Sequence, residues 1–225
     1  MNRREELERN LKTVRERIDA VAGGRRVQLL PVTKFHPASD LRLLAELGMT
    51  DVAENREQEA RAKAAEVPET RIHMVGQIQS KKANAVARWA AAVHSVDSLK
   101  LVAGLDRGVT LAQERGERGP GALPCFVQFS ADGDDARGGA GEDDVGTLAA
   151  AIAESPHLKL AGVMCVPPLH SDSAAVFAQA RALTDRLGEG LLLSAGMSAD
   201  LETAITSGSD IVRVGTAILG SRPLR

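Results

Sequence analysis

Eight short apolar segments alternate with longer amphipathic ones along nearly the whole chain, and this alternation restricts the fold more than any other feature. The apolar segments have the length of strands and cover 27–33, 51–54, 72–75, 92–96, 124–129, 158–166, 191–194 and 210–214. Strands that alternate with helices form parallel βαβ units. Eight such units in a chain of 225 residues predict a closed (β/α)8 TIM-type barrel.

A helix precedes the first strand, and no boundary divides the chain. Residues 5–22 have a helical pattern, and no linker or change of composition occurs further on. We therefore expect one α/β barrel domain over 1–225 with a leading N-terminal helix. The alternative is an open doubly wound sheet, which favours a Gly-x-Gly-x-x-Gly turn after the first strand. The segment VTKFHP at 32–37 contains no glycine, so the barrel is the better interpretation.

The composition is that of an ordinary globular protein and argues against several classes of partner. Hydrophobic residues make up 44% of the chain, aromatic residues make up 2%, and the net charge is −2. Because aromatic rings are so few and no polybasic run occurs, we expect no nucleic-acid partner. The first twenty residues lack the apolar core of a signal peptide, and no run of 18 apolar residues exists. We expect no membrane segment and a cytoplasmic location.

The cysteines and histidines do not suggest a metal centre. Cys125 and Cys165 lie in separate apolar segments, and we interpret them as buried strand thiols of a reducing compartment. The histidines show no ligand spacing such as His-Glu-x-x-His, so we predict no metal site. We interpret each of them as structural or solvated; they are His36, His73, His94, His157 and His170.

Lys34 is predicted to end the first apolar strand, at the end of a barrel where active sites lie. One interpretation is a surface lysine whose aliphatic stem packs on the barrel while its amine reaches water. The other is a lysine that forms a Schiff base. That chemistry requires a neutral amine, and therefore a pKa lowered by burial or by nearby positive charge.

The loops after the seventh and eighth strands contain small and hydroxyl residues where barrels frequently bind phosphate. Gly196 and Gly215 allow a close approach of the backbone. Ser198 is predicted to open a helix, so that its hydroxyl and nearby N–H groups can contact an anion. Thr216 and Ala217 leave room for phosphate oxygens. Ordinary turn and capping roles are the alternative for these residues.

Arg213 lies at the end of the eighth strand, where a cation needs an acceptor. It could pair with Glu54 or Asp97, which follow or end other strands. Alternatively, it could donate to the nitrogen of a bound heterocycle. The residues alone leave both alternatives open.

Six motifs in this order resemble those of the pyridoxal 5'-phosphate (PLP) homeostasis proteins, the YggS/PROSC family. They are VTKFHP (32–37), ENREQE (54–59), HMVGQIQSKK (73–82), HSVDS (94–98), LSAGMSAD (193–200) and VRVGTAILG (212–220). The resemblance extends from about residue 5 to Pro223, and it implies a barrel similar to the one in alanine racemase. The chain departs from the family at Lys81, at Ala195 and in the segment from Arg137 to Ala140. That segment belongs to a Gly- and Asp-rich stretch, 131–141, which we expect to be a mobile, solvated loop.

The resemblance implies a role for each site residue. Lys34 would carry PLP as a Schiff base, and Asn55 would line the pocket. Arg213 would face the pyridine nitrogen. The phosphate would be held by Ser198, Gly215 and Thr216.

Two functions from different classes compete at this stage. The resemblance favours a PLP-binding protein that buffers or delivers the cofactor without turnover; the alternative is an amino-acid racemase or lyase. A racemase needs acid–base groups on both faces of the substrate carbon, and alanine racemase uses a tyrosine for one of them. This chain contains no tyrosine, so we expect no catalytic residue. Arg213 is a weaker argument against catalysis. An arginine does not give up its proton, so a pyridine nitrogen beside it would stay neutral and the ring would accept electrons less readily. Alanine racemase nevertheless works with such an arginine.

The expected partners follow from the carrier function. They are PLP itself and, as candidate recipients, PLP-dependent apoenzymes. We expect the protein to be a monomer. The sequence does not identify which apoenzymes would receive the cofactor.

Overall fold

Parallel pairing joins eight strands in residues 2–134 and 137–221, the ranges that the computed structural model describes. The strands are β1 (Gln28–Pro31), β2 (Asp51–Glu54), β3 (Arg71–Met74), β4 (Ala92–Val96), β5 (Leu123–Phe129), β6 (Leu158–Cys165), β7 (Leu192–Ser194) and β8 (Ile211–Val214). The single domain expected over 1–225 also includes a few residues outside the described ranges. These are Met1, Asp135, Ala136 and 222–225.

Each of these strands is followed by a helix, and the leading helix α1 (Arg3–Ala22) precedes them all. The following helices are α2 (Ala38–Glu46), α3 (Glu57–Glu66), α4 (Ala83–Trp89), α5 (Leu99–Glu114), α6 (Glu142–Glu154), α7 (Ser173–Leu187), α8 (Leu201–Thr206) and α9 (Thr216–Leu219). The strict alternation explains the parallel strands, because each helix returns the chain to the same end of the sheet.

The sheet closes on itself between β1 and β2. Its ladder runs in the order β1-β8-β7-β6-β5-β4-β3-β2, and an isolated parallel bridge joins Val32 to Ala53. The Thr33 N–H also donates to the Ala53 carbonyl over 2.9 Å. The predicted TIM-type barrel with a leading helix is therefore confirmed, in a nearly closed form.

The helix α1 packs against the last elements of the barrel. Its buried residues recur at helical spacing and are Leu7, Leu11, Val14, Ile18 and Ala22. They belong to one apolar cluster with residues of α8 and α9, namely Leu201, Ile205, Ile218 and Leu219. A capping box of Asn2 and Glu5 begins the helix. The helix α1 therefore covers the two segments that follow β7 and β8.

Two boundaries differ from the sequence prediction. The strand β1 ends at Pro31 instead of continuing to Thr33, because the bonding of the next residues changes from β8 to β2. As a result, Lys34 lies in a turn beyond the strand and does not end it. The sequence pattern also predicts one helix over 79–89, but the structure has a 3-10 turn, Ser80–Lys82, followed by the helix α4.

The two cysteines are buried and unpaired in neighbouring strands, as predicted. Burial raises the pKa of the Cys125 and Cys165 thiols to about 12 each, so both keep their protons at neutral pH. None of the helices in the described part of the chain is long and apolar enough to cross a membrane.

The packing of α1 predicts a large loss of stability when its buried face is truncated. Leu11 is 2% exposed, and Leu11→Ala should lower the free energy of unfolding by about 2–5 kcal/mol through lost burial and a residual cavity. The control is Lys12→Ala at an exposed position of the same helix, which should change it by about 0.5 kcal/mol or less. Urea unfolding of both variants measures the difference. Equal midpoints would show that α1 does not contribute to the barrel.

Candidate functional site

The carboxyl ends of β8, β1 and β2 are neighbours at one mouth of the barrel. The Val32 N–H donates to the Val214 carbonyl over 2.9 Å, and the Thr33 N–H donates to the Ala53 carbonyl over the same distance. The turns that follow these strands carry three predicted site residues, Lys34, Asn55 and Gly215. Strand closure therefore brings together side chains that are up to 181 positions apart in sequence (34 to 215).

A tight turn holds the half-buried Lys34 at this mouth. The His36 N–H donates to the Thr33 carbonyl over 3.1 Å, which closes the turn around Lys34 and Phe35. Phe35 has a φ of +70°, a left-handed conformation that is unfavourable for a residue with a side chain. Its N–H donates to the Glu59 carboxylate over 2.6 Å, and this charge-assisted bond stabilises the conformation.

A buried lysine, Lys63 on α3, stabilises the same turn from behind. Its ammonium donates to the Thr33 carbonyl over 2.8 Å, to Glu54 over 2.5 Å and to Glu59 over 2.7 Å. The Thr33 hydroxyl also donates to Glu54 over 2.6 Å. Burial raises the pKa of Glu54 even though Lys63 and Thr33 act against that shift. Removing one member would leave another charge buried without its partner, so the cluster holds the turn firmly.

Sequence reasoning missed this charged cluster. Glu59 and Lys63 have the i, i+4 spacing of a helical ion pair, and that spacing was visible in the sequence. Their connection to Thr33 depends on the closure of β1 onto β2, which no local pattern reveals.

Asn55 lies where the loops after β2 and β3 approach each other closely. A Cβ atom on Gly76 would lie only 2.1 Å from the Asn55 carbonyl oxygen, so Gly76 cannot carry a side chain here. Asn55 is half-buried and lines a cavity of about 500 Å³ between these loops. Other polar residues that line the cavity are Gln58, Gln77, Gln79 and Lys82.

Arg213 lies inside the barrel, is 4% exposed and has only neutral acceptors. Its guanidinium donates to the Ser194 carbonyl over 2.6 Å, to the Ser194 hydroxyl over 2.8 Å and to the Cys165 carbonyl over 3.0 Å. Within residues 2–134 and 137–221 it forms no ion pair, so pairing with Glu54 or Asp97 is not observed. Burial lowers the pKa of Arg213, but a guanidinium remains protonated in proteins.

Ser198 lies in a turn before α8, so the prediction that it opens the helix is wrong. The helix begins at Leu201 after Asp200. The Asp200 carboxylate accepts from the Met197 N–H over 2.6 Å, and the Asp200 N–H donates to the Met197 carbonyl over 3.2 Å. Because these bonds close a turn, the helix starts only after Asp200.

The loops after β7 and β8 meet at Ser198. The Ala217 N–H lies 3.4 Å from the Ser198 hydroxyl oxygen. Gly215 is open on its Cβ side, where an added Cβ would make only ordinary contacts. Thr216 is exposed at the start of α9. The three residues predicted to hold a phosphate therefore lie on two segments that meet at Ser198.

Gly196 fulfils the close approach that was expected of it. It has a φ of +93°, and a Cβ atom here would lie 2.5 Å from the Cβ of Ala204. Its carbonyl accepts from the Arg213 N–H over 2.9 Å, which joins the loop after β7 to β8. Any larger residue would displace this loop from the barrel.

Three polar side chains of α1 bind the segments that follow β7 and β8. Arg17 donates to the Ser198 carbonyl over 3.0 Å, Asn10 to the Ile218 carbonyl over 2.9 Å, and Arg3 to the Leu219 carbonyl over 3.0 Å. Sequence reasoning missed them. Their spacing of seven residues places them on one helix face, and that spacing was the available signal.

The described part of the segment 131–141 contacts the strands beside it. Arg137 donates to the Val166 carbonyl over 2.7 Å and to the Pro167 carbonyl over 3.1 Å, and it pairs with Asp132 over 3.0 Å. Ala140 forms a parallel bridge with Phe129. This part is therefore not the purely solvated loop that was expected. Two of its residues, Asp135 and Ala136, lie outside the described residues.

The groups at this mouth fit PLP chemically. Lys34 offers a primary amine, and Ser198 offers a hydroxyl beside the Ala217 N–H at the start of α9. Arg213 is a buried cation whose described partners leave its charge uncompensated. An aldehyde, a phosphate and a ring nitrogen are the groups that these side chains would complement.

Comparison with known proteins gives consistent results. The family described as the alanine racemase N-terminal domain matches residues 3–223. A pyridoxal phosphate homeostasis protein of Corynebacterium glutamicum is 57% identical over 202 residues, which cover 88% of this chain and 91% of that protein. One from Mycobacterium tuberculosis is 43% identical over 251 residues, covering 100% of this chain and 96% of that protein.

A solved structure has the same fold. PipY of Synechococcus elongatus, determined with PLP bound, is 31% identical and superposes with a TM-score of 0.81, covering 95% of this chain and 100% of PipY. Alanine racemase of Corynebacterium glutamicum is 15% identical with a TM-score of 0.71, and this likeness concerns the fold alone. The chain therefore belongs to the family of pyridoxal phosphate homeostasis proteins, whose barrel is the alanine racemase N-terminal domain.

Proposed function

We propose that this protein binds PLP as a Schiff base on Lys34 and buffers or delivers the cofactor without catalytic turnover. In this proposal Asn55 lines the pocket and Arg213 faces the pyridine nitrogen. The phosphate is held by Ser198, Gly215 and Thr216. Cytoplasmic location, a monomeric state and PLP-dependent apoenzymes as recipients are further parts of the proposal.

The observation that carries the proposal is the placement of the Lys34 turn beside Gly215. The turn that contains Lys34 is held by buried charges, and it follows Val32, whose N–H donates to the carbonyl of Val214, the residue before Gly215. PipY, which is 31% identical and was solved with PLP bound, supports PLP as the ligand.

The residues would divide the work of binding among them. PLP supplies an aldehyde that condenses with amines and a ring that can accept electrons. Lys34 must be neutral to react with the aldehyde. Arg213 cannot release a proton, so an acceptor nitrogen placed against it stays unprotonated.

Two features support a carrier over the alternative, an amino-acid racemase or lyase. A racemase needs a second acid–base group on the substrate face opposite the lysine. The chain contains no tyrosine. Cys165 lies near Arg213, but the pKa of its buried thiol is about 12, far from the range that suits general acid–base catalysis at neutral pH.

The first prediction concerns the covalent link. Borohydride reduction of the PLP-loaded protein, followed by peptide mapping, should place the pyridoxyl group on Lys34. Lys34→Ala should abolish the Schiff-base absorbance and preserve the fold, because the side chain lies in a turn outside the core. Lys81→Ala is the matched control and should keep the absorbance. A pyridoxyl group on Lys81 or Lys82 would contradict the proposal.

The second prediction concerns the phosphate. PLP should bind far more tightly than pyridoxal, because the Ser198 hydroxyl and neighbouring N–H groups would recognise the dianion. Ser198→Ala should weaken PLP binding by about 1–2 kcal/mol through the loss of one hydrogen bond to a charged group, and it should leave pyridoxal binding unchanged. Spectroscopic titration measures both ligands. Equal affinities of the unmodified protein for PLP and pyridoxal would rule out this phosphate site.

The third prediction concerns catalysis. Incubation of the PLP-loaded protein with L-amino acids in deuterated water should yield no D-amino acid, because the chain has no tyrosine to protonate the opposite face. Slow exchange of the alpha proton with retained configuration is compatible with Lys34 acting alone. NMR and chiral chromatography follow both outcomes. Multiple turnovers to a D-amino acid that are lost in Lys34→Ala would establish the racemase instead.

A further inference from the structure

Two buried histidines contact each other inside the barrel. His73 on β3 is 7% exposed and His94 on β4 is fully buried. Their Nδ1 and Nε2 atoms, respectively, are 3.0 Å apart. The His94 ring also stacks on Phe126 with a centroid distance of 4.2 Å. The pair therefore lies among the apolar side chains of the barrel interior.

Each histidine has a second partner, and the second partners lead to opposite ends of the barrel. The His73 Nε2 lies 2.9 Å from the Asp51 carboxylate at the start of β2. The His94 Nδ1 lies 2.9 Å from the Ser194 hydroxyl oxygen at the end of β7. That hydroxyl oxygen also accepts from Arg213 over 2.8 Å. Five side chains thus form one continuous chain of hydrogen bonds.

The direction of each bond follows from the two ends of this chain. Arg213 can only donate, and Asp51, when ionised, can only accept. If Arg213 donates to Ser194, the Ser194 hydroxyl is free to donate to the His94 Nδ1. The Nε2–H of His94 then donates to the His73 Nδ1, and the Nε2–H of His73 donates to Asp51. In this arrangement both imidazoles are neutral and every donor has an acceptor.

We propose that Ser194, His94, His73 and Asp51 are positioning residues that form a one-directional hydrogen-bond relay and hold the Arg213 guanidinium in place. The part of this inference that concerns PLP depends on the proposed function. The relay itself is a property of the protein alone and can be tested without the cofactor.

The charges along the relay agree with a neutral ring at His94. Burial lowers the pKa of His94 well below its ordinary value, and His73 and the positive charge of Arg213 act in the same direction. The hydrogen bond from His73 lowers the pKa of Asp51, which keeps this carboxylate an acceptor. Bonds that all point from a cation to an anion polarise one another, so the relay is stabilised cooperatively.

The relay joins the cofactor mouth to the opposite mouth of the barrel. Asp51 and His73 line a cavity of about 660 Å³ formed by the amino ends of the strands. A proton added at His73 would have to reverse both bonds of His94. The Ser194 hydroxyl would then lose the His94 Nδ1 as its acceptor, while Arg213 would still occupy its oxygen. The neutral arrangement is therefore the one that satisfies Arg213 and Ser194 together.

Histidine NMR tests the relay directly. In protein labelled with nitrogen-15 at histidine, two-bond proton–nitrogen correlations should show both His73 and His94 as neutral Nε2–H tautomers at neutral pH. Asp51→Ala should shift the nitrogen signals of His94, although Asp51 contacts only His73 of the pair. An Nδ1–H tautomer or a charged ring at His94, or His94 signals that are unchanged in Asp51→Ala, would overturn the relay.

A second aspartate–histidine pair provides the matched control. Asp106 lies 3.3 Å from His157, outside the relay. Asp106→Ala should shift the signals of His157 and leave those of His73 and His94 unchanged. Shifts of all these histidines in both variants would indicate a general disturbance of the fold and would count against the relay.

Cofactor binding tests the positioning of Arg213. Ser194→Ala should weaken PLP binding by about tenfold, through the loss of an acceptor for the guanidinium, and should shift the absorbance of bound PLP. Thr184→Val removes another fully buried hydroxyl, on α7, and should change neither quantity. If Ser194→Ala binds PLP as the unmodified protein does, the positioning of Arg213 is refuted. If the unmodified protein binds no PLP, the proposed function fails while the tautomer result stands by itself.

Discussion

Closure of eight parallel strands is the constraint on which the rest of the structure depends. Because the strands are parallel, every turn that follows a strand lies at the same mouth. The bonds of Val32 and Thr33 to β8 and β2 then place Lys34 between the loops that carry Gly215 and Asn55. No contact between these residues could form in an open sheet whose first and second strands were its edges. The site is therefore a product of the closure itself.

The leading helix α1 and the charged cluster behind Lys34 give this mouth its rigidity. Polar side chains of α1 bind the carbonyls of the loops after β7 and β8, while its apolar face packs on α8 and α9. In the turn after β1, Lys63 donates to the Thr33 carbonyl and Glu59 accepts from the Phe35 N–H, while Glu54 pairs with Lys63. The helix α1 holds one side of this mouth and α3 holds the other, so the mouth is preorganised before any ligand arrives.

Periodicity predicted the fold almost completely, because each strand and helix buries a local pattern of apolar residues. It failed where tertiary contacts decide the backbone. Ser198 has the residue type of a helix cap, but the Asp200 carboxylate closes a turn first and delays the helix to Leu201. Lys34 was expected to end a strand, but the pairing of β1 with β8 ends at Pro31 and Val214, so Lys34 lies in the turn beyond the strand. The carbonyls of Ser194 and Cys165 that accept from the Arg213 side chain could not be predicted, since they depend on which strands become neighbours.

The neutral partners of Arg213 connect the structure to the choice between carrier and enzyme. An ion pair would cancel the charge of a buried guanidinium, whereas the Ser194 and Cys165 acceptors satisfy its hydrogens and leave its charge intact. Against such a cation, a pyridine nitrogen remains unprotonated and the ring withdraws electrons less strongly than it would beside a carboxylate. This reduction alone does not prevent catalysis. Combined with the lack of tyrosine and a Cys165 thiol that keeps its proton, it supports the proposal that the protein holds a cofactor without using it.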